Sequence, residues 1–204
     1  MTVEESDENL MNLYSEGDVQ AFELLYQRHK GPVYRFFTRQ FSDAVAEELM
    51  QDVWTRIIKA RKEYQRQAKF TTFLYTIVRN RQIDYIRRLT IRPVSSETGY
   101  GNYSKMDHNN NHNPDANDPV SAIQAPVSDE PDCAIGNHEK QNALLHCIKE
   151  LPSTQREVFL LKEESGLNLD SIAQIVGINT ESVKSRLRYA LQKLRQCLGT
   201  LLEH

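Results

Sequence analysis

The sequence predicts an all-α fold: two small helical domains joined by a flexible acidic linker, the second carrying a helix-turn-helix. Three observations lead there. Apolar residues in the patterned segments recur three and four apart, which is helical rather than strand-like spacing. Composition changes abruptly at Pro93: five of the seven prolines lie between Pro93 and Pro131, among Asn, Asp and Ser residues with few side chains to bury. Lastly, Asn168–Leu198 splits into a short apolar segment (Leu169, Ile172, Ala173, Val176), a Gly177-Ile178-Asn179 turn and a longer segment (Val183, Leu187, Ala190, Leu191, Leu194, Leu198). Asn168 and Asn179 stand where N-caps belong, and Gly177 where a helix end needs left-handed backbone. Two helices meeting through so tight a turn form a helix-turn-helix.

In chain order, Asn9–Ser15 reads as a short helix stopped by Gly17, and Asp18 caps a longer one through Ala21, Phe22, Leu25, Tyr26, Val33, Phe36 and Phe37. Lys30-Gly31-Pro32 is expected to kink or break it. Ser42 or Asp43 opens the next helix, whose apolar side holds Val45, Leu49, Val53, Trp54, Ile57 and Ile58 and whose polar side holds Glu48, Gln51, Asp52, Thr55 and Lys59. That polar side is either a solvated face or an acidic docking surface for a basic partner. Arg61–Lys69 is a basic connector containing Tyr64, after which Thr71 or Thr72 caps a helix to about Leu89. Phe73, Leu74, Ile77, Val78, Ile83 and Ile86 form its buried side; Arg79, Arg81, Arg87 and Arg88 supply charge, with Asn80 and Asp84 among them. Aromatics beside cations suit single-stranded nucleic acid, since rings stack on unpaired bases while cations track phosphates. A plainer account keeps Phe73 in the core and pairs Asp84 with Arg88.

Residues 1–93 form the first domain, 94–137 the linker and 138–204 the second domain. In the last, Ala143, Leu144, Cys147 and Ile148 pack one helix, Leu151-Pro152-Ser153 turns the chain, Val158–Leu161 pack the next, and Gly166 stops it before the helix-turn-helix. A unit of this size is small but able to fold alone.

Composition narrows the function. With 39% hydrophobic and 26% charged residues in 204, the chain is an ordinary globular one, without an apolar run of membrane-span length or signal-peptide character. Residence in the cytoplasm is expected. The three cysteines, Cys133, Cys147 and Cys197, are odd in number and show no paired spacing, which argues against a disulfide framework. No metal site is indicated. The net charge of −3 is unevenly spread: residues 94–137 carry one base and seven acids, whereas Leu24–Pro93 carries 15 bases against 6 acids. A basic region of that size is an electrostatic footprint for nucleic acid, although acidic proteins also bind such surfaces.

On the last helix, projection at about 100° per residue puts Glu181, Ser185, Arg188, Tyr189 and Gln192 outward. Lys184 and Arg195 flank one edge; Ser182, Arg186 and Lys193 flank the other. A recognition helix is divided in this way, with outward N-terminal residues reaching base edges and basic flanks holding phosphates. An ordinary helical hairpin with a solvated basic face has the same pattern.

Taken together, these residues resemble bacterial RNA polymerase sigma factors of the extracytoplasmic-function group of the sigma-70 family. Leu151-Pro152, Arg156–Leu161, Ile172-Ala173, Gly177-Ile178 and Val183–Leu187 look like the family's C-terminal promoter-reading domain. Ala21-Phe22, Leu25-Tyr26, Ala46–Leu49, Gln51–Val53, Phe73–Tyr75, Ile77, Arg79-Asn80 and Ile83-Asp84 look like its N-terminal domain. The resemblance implies a promoter-specificity subunit with no catalysis or cofactor of its own. Its implied partners are core RNA polymerase, the duplex minus-35 element, the opened minus-10 element and, as a further candidate, an anti-sigma factor. Glu48, Gln51, Asp52 and Thr55 are then expected at the polymerase; Arg61, Lys62, Tyr64, Arg79, Asn80, Arg87 and Arg88 at minus-10; and Thr180, Glu181, Ser182, Lys184, Ser185, Arg186, Arg188 and Tyr189 at minus-35. Two positions depart from the pattern: Phe73 stands where family members often have Trp, and Tyr189 where they often have Arg, the arginine here being displaced to Arg188. The linker's seven acids would either mimic phosphates in the polymerase channel or merely keep a tether soluble. An alternative is a helix-turn-helix regulator that binds duplex DNA without being a polymerase subunit, its first domain serving for sensing or dimerisation.

Overall fold

The computed structural model describes residues 5–64, 69–90 and 135–202; almost all of the expected linker lies outside them. The described residues form eight α-helices and no strand: α1 (Asp7–Glu16), α2 (Val19–Thr38), α3 (Asp43–Lys59), α4 (Phe70–Thr90), α5 (Ile135–Lys149), α6 (Ser153–Ser165), α7 (Leu169–Val176) and α8 (Thr180–Leu202).

In the N-terminal half, α2 packs against α1 and α3, and α3 against α4. Leu25, Val33, Phe36, Phe37, Leu49, Val53, Ile57, Leu74 and Val78 are fully buried between these helices. Trp54 is buried with its ring edge-on to Phe22 and Tyr26, at 6.0 and 4.9 Å between centroids. Of the expected kink or break at Lys30-Gly31-Pro32, the break does not occur: α2 continues as one helix through Pro32. Proline costs a helix interior about 3 kcal/mol, whereas burying one large apolar side chain contributes roughly 1.5–3 kcal/mol. Leu25 before Pro32 and Val33, Phe36 and Phe37 after it together outweigh the lost bond. Ile58, assigned by spacing to the apolar side of α3, is 43% exposed.

Several helix ends are fixed by named groups. Asp18 Oδ1 accepts the amides of Gln20 and Ala21, starting α2, and Gly17 ends α1 at a φ of 115°, a region costly for any residue with a Cβ. The start of α4 is one residue earlier than Thr71 and is capped from a distance: the Phe70 amide donates to Glu8 Oε1 of α1 at 3.1 Å. On α1, Asp7 accepts from His29 Nε2 at 2.6 Å and Arg28 Nη1 at 2.8 Å. The His29 hydrogen bond, and after it those contacts from Arg28, hold the Asp7 carboxyl below its usual range against the opposing cost of burial.

In the C-terminal half, α5, α6 and α7 each pack on α8, burying Ile148, Val158, Leu160, Leu161, Ile172, Val183 and Ala190. Arg156, 2% exposed, turns its guanidinium onto the backbone where α5 ends, donating to the carbonyls of Ile148 at 3.0 Å, Leu151 at 2.6 Å and Lys149. It is a buried side-chain cap for the end of α5, adding a second donor to the Ile148 carbonyl, which also accepts the Leu151 amide at 3.2 Å, and bonding the carbonyls of Lys149 and Leu151. Cys147 of α5 and Cys197 of α8 are joined by a disulfide with Cα atoms 5.8 Å apart. Fifty residues separate them, so neither sequence spacing nor the odd cysteine count could signal the pairing; only the packing of α5 on α8 makes them neighbours.

The two halves also touch. α6 lies against α2 and α4, and α7 against α4. Glu164 of α6 accepts from Arg35 Nε at 2.8 Å and from Arg39 Nε, both on the α2 side, and Glu157 of α6 accepts from Arg79 Nε of α4 at 2.7 Å. The buried Tyr75 hydroxyl donates to the Glu164 carbonyl at 3.2 Å.

Candidate nucleic-acid interface

The helix-turn-helix forms from the caps that the sequence advertises. Asn168 Oδ1 accepts the Ser171 amide at 2.8 Å and Asn179 Oδ1 the Ser182 amide at 2.7 Å, so each helix begins with a donor satisfied by an asparagine side chain. Gly177 takes a φ of 75°, and the Gly177 and Ile178 amides both reach back to the Ala173 carbonyl. Thr180 Oγ1 donates to Asp170 Oδ1 at 2.8 Å, tying the first turns of α7 and α8 together. Val183 and Ala190 are fully buried under α8, and Leu194 nearly so.

Opposite that seam, Glu181, Lys184, Arg188 and Tyr189 are exposed, while Thr180, Ser182, Ser185 and Arg186 are half-buried. Lys184 Nζ bonds Glu181 Oε1 at 2.7 Å. That hydrogen bond and the adjacent carboxylate raise the Lys184 ammonium above its ordinary pKa. The Arg188 guanidinium lies 5.3 Å from the Tyr189 ring centroid, a cation–π contact between the two residues whose order departs from the usual pattern. Leu191, expected on the packed side, is 41% exposed instead. Positive helix-dipole charge at the start of α8 adds to the basic side chains in favouring a polyanion.

In the N-terminal half, Glu48, Gln51 and Thr55 are exposed along α3, with Asp52 half-buried between them. Arg61 is half-buried, its guanidinium 5.5 Å from the Tyr14 ring centroid, while Lys62 is exposed. Tyr64 stands edge-to-face with Phe73 and Phe70 at 5.3 and 6.3 Å; desolvation, and then the charges of Glu8 and Asp7, push its phenol up to about 12. Phe73 is thus packed against the core and also forms a wall beside Tyr64. Along α4, Asn80, Arg87 and Arg88 are exposed. Asp84 pairs with Arg81, not with Arg88, which donates its Nε to the Asp84 carbonyl. Arg79 is half-buried and paired across the interface with Glu157, so among the described residues this cation of the expected minus-10 set is engaged by the other half of the chain. The sequence reading missed Arg35 and Arg39 altogether. Their i, i+4 spacing puts two cations on one side of α2, but nothing local names an acid 125 or more residues away as their partner.

A cation-and-aromatic helical module followed by a helix-turn-helix module defines a two-part DNA-binding protein. The comparisons with known proteins specify which kind. Residues 25–91 match the family model described as Sigma-70 region 2, and residues 141–194 that described as Sigma-70, region 4. The chain is 29% identical over 192 residues to the RNA polymerase sigma factor CarQ of Myxococcus xanthus, covering 94% of this chain and 97% of that protein. It is 26% identical over 192 residues to the ECF RNA polymerase sigma factor SigK of Mycobacterium sp. (strain KMS), covering 93% and 89% respectively. Among solved structures, CnrH in complex with the cytosolic domain of CnrY shares the fold at a TM-score of 0.66 and 15% identity, over 96% of this chain and 99% of that one. The sigma factor RpoE of Bartonella quintana, in complex with the anti-sigma factor NepR, does so at 0.60 and 17%, over 89% and 98%. The chain belongs to the sigma-70 family and, within it, to the extracytoplasmic-function group. It is a sigma factor, a subunit that directs transcription initiation, and sigma factors are non-catalytic. No helix among the described residues is long and apolar enough to cross a membrane.

Proposed function

We propose that this sigma factor binds core RNA polymerase through the polar face of α3, engages the opened minus-10 element with the connector and α4, and reads the minus-35 duplex with α8. The observation that carries this reading is the order and content of the modules: an acidic exposed face, then a cation-aromatic face, then a recognition helix whose outer residues are free of the core. Residues 1–93 serve polymerase docking and strand opening, residues 94–137 tether, and residues 138–204 read duplex. The chain works in the cytoplasm without cofactor or catalysis of its own. An anti-sigma factor is a further partner, a reading supported by the two solved structures of similar fold, each of which holds one sigma-like chain with a second protein.

Opening DNA without ATP requires the capture of an unstacked base, whose extrusion costs a few kcal/mol and must be offset by pocket contacts. Tyr64 and Phe73 form an aromatic wall there, with the cations of Arg87 and Arg88 exposed farther along α4. Reversing the docking charge tests the first contact. Glu48→Lys with Asp52→Lys places like charges against a basic polymerase surface at a cost of several kcal/mol, so pull-down of core polymerase by the folded double variant should fall sharply. Retention equal to the parent's would rule α3 out as the docking face.

On α8, base contacts and phosphate contacts separate. Ser185→Ala and Arg188→Ala should each change preference among minus-35 sequences, a bidentate arginine contact contributing about 1–3 kcal/mol of discrimination. Exposed Lys193, farther along the helix, should weaken every sequence alike and flatten the salt dependence when changed to Ala. Binding titrations on a panel of duplexes at several salt concentrations distinguish the two classes. A uniform loss for Arg188→Ala would make Arg188 a phosphate contact.

A further inference from the structure

The contact between the two halves is chemically one-sided. Among the described residues, the cations in its ion pairs come from the N-terminal half, Arg35 and Arg39 on the α2 side and Arg79 on α4, and the carboxylates come from α6. Glu164 is the centre of it, its side chain 4% exposed between two guanidiniums. Two guanidiniums converging on one anion, with a third beside a second anion and a phenolic hydroxyl close by, also form a donor set for phosphate, because Arg forks match phosphate and carboxylate oxygens alike. The surface is solvated in part, since the Arg35 side chain is 53% exposed. A competing anion can therefore approach from that side.

We propose that Arg35, Arg39 and Arg79 form a phosphate-binding surface for the backbone of single-stranded nucleic acid, held shut in the closed chain by Glu157 and Glu164 of its own α6. The role of Arg79 rests on the minus-10 reading above; Arg35 and Arg39 extend that reading to a second helix. In the closed arrangement α6 lies across α2 and α4 and α7 lies on α4, so a strand gains these three cations only when the halves part. Asn80, Arg87 and Arg88 stay exposed and offer the first foothold. Displacement follows from exchange of one anion for another on the same donors, and the chain's own carboxylates lower its apparent affinity by the fraction of time it is closed.

The test uses the full-length chain with Glu157→Gln and Glu164→Gln together. Small-angle X-ray scattering should report a larger radius of gyration than for the parent. Anisotropy titration with a fluorescent single-stranded oligonucleotide should report tighter binding, about tenfold if the parent is open about one-tenth of the time. Adding Arg35→Gln and Arg39→Gln to the double variant should abolish most of that gain while the chain stays expanded. A double variant that is folded by circular dichroism yet as compact as the parent, or expanded with unchanged affinity, overturns the proposal. So does a gain that survives loss of both arginines. If the glutamate variants fail to fold, Arg35→Gln with Arg39→Gln in the otherwise native chain opens the interface from its exposed side, and a radius of gyration equal to the parent's is then the overturning result. Arg79→Ala in the opened chain separates the two readings: unchanged affinity there removes Arg79 from the minus-10 set, while the gain lost with Arg35 and Arg39 upholds their surface.

Discussion

Arg156→Ala should unfold the C-terminal half at temperatures where the parent is stable. The guanidinium is the donor for three backbone carbonyls, those of Ile148, Lys149 and Leu151, in a region where Ile148 and Leu151 are themselves buried. A hydrogen bond to a charged group contributes about 1.5–3 kcal/mol; the Ile148 carbonyl keeps the Leu151 amide at 3.2 Å, so the loss falls mainly on the bonds to the Lys149 and Leu151 carbonyls. The summed loss is on the order of 5 kcal/mol, comparable with the whole stability of a small domain. Arg156→Lys keeps the charge but offers a single ammonium in place of a planar fork, so it should fall between the two. Thermal melts followed by circular dichroism, with hydrogen exchange to locate the loss in residues 141–202, check this. A melting profile for Arg156→Ala equal to the parent's would show that water caps α5 equally well.

Reduction of the Cys147–Cys197 disulfide should produce the second large effect. The bond ties α5 to α8 across fifty residues of sequence, and in the chain-entropy account a loop of that length contributes about 4 kcal/mol through restriction of the unfolded chain. For a domain of this size that corresponds to a fall in Tm on the order of 20 °C. Cys147→Ala with Cys197→Ala should reproduce the melting of the reduced chain, and reductant should then have no further effect. Thiol titration of the denatured oxidised protein should leave only one reactive cysteine, Cys133, against three after reduction. Equal melting temperatures with and without reductant would show that the α5–α8 contact holds the domain unaided. A reducing cytoplasm keeps thiols of this kind free, so in that compartment the reduced value would set the working stability.

The helices, their caps and the helix-turn-helix were legible because each is decided locally. Asn168, Asn179 and Asp18 satisfy amides two or three residues away, and Gly17, Gly166 and Gly177 supply left-handed backbone at helix ends. Periodicity likewise sorted most of the core, as with Val183 and Ala190 under α8 or Leu49 and Val53 under α3. It failed at Ile58 and Leu191, which lie on the margins of their apolar faces, where exposure depends on how wide the neighbouring helix is. A break at Pro32 was also expected and does not occur, because the local penalty is set against burial supplied by partners elsewhere in the chain.

The sequence by itself determined the class of the molecule. Two sets of side chains, one able to stack and attract phosphates and one able to present a helix to duplex DNA, are written in composition and spacing, and they survive whatever the domains do relative to each other. What only the tertiary structure decided are the pairings between distant residues: Cys147 with Cys197, Glu8 with the start of α4, and Arg35, Arg39 and Arg79 with the acids of α6. A charge or a thiol is visible in sequence, but its partner is fixed by which helix faces pack. That choice is made by the summed burial of many apolar side chains, with no local signal to announce it.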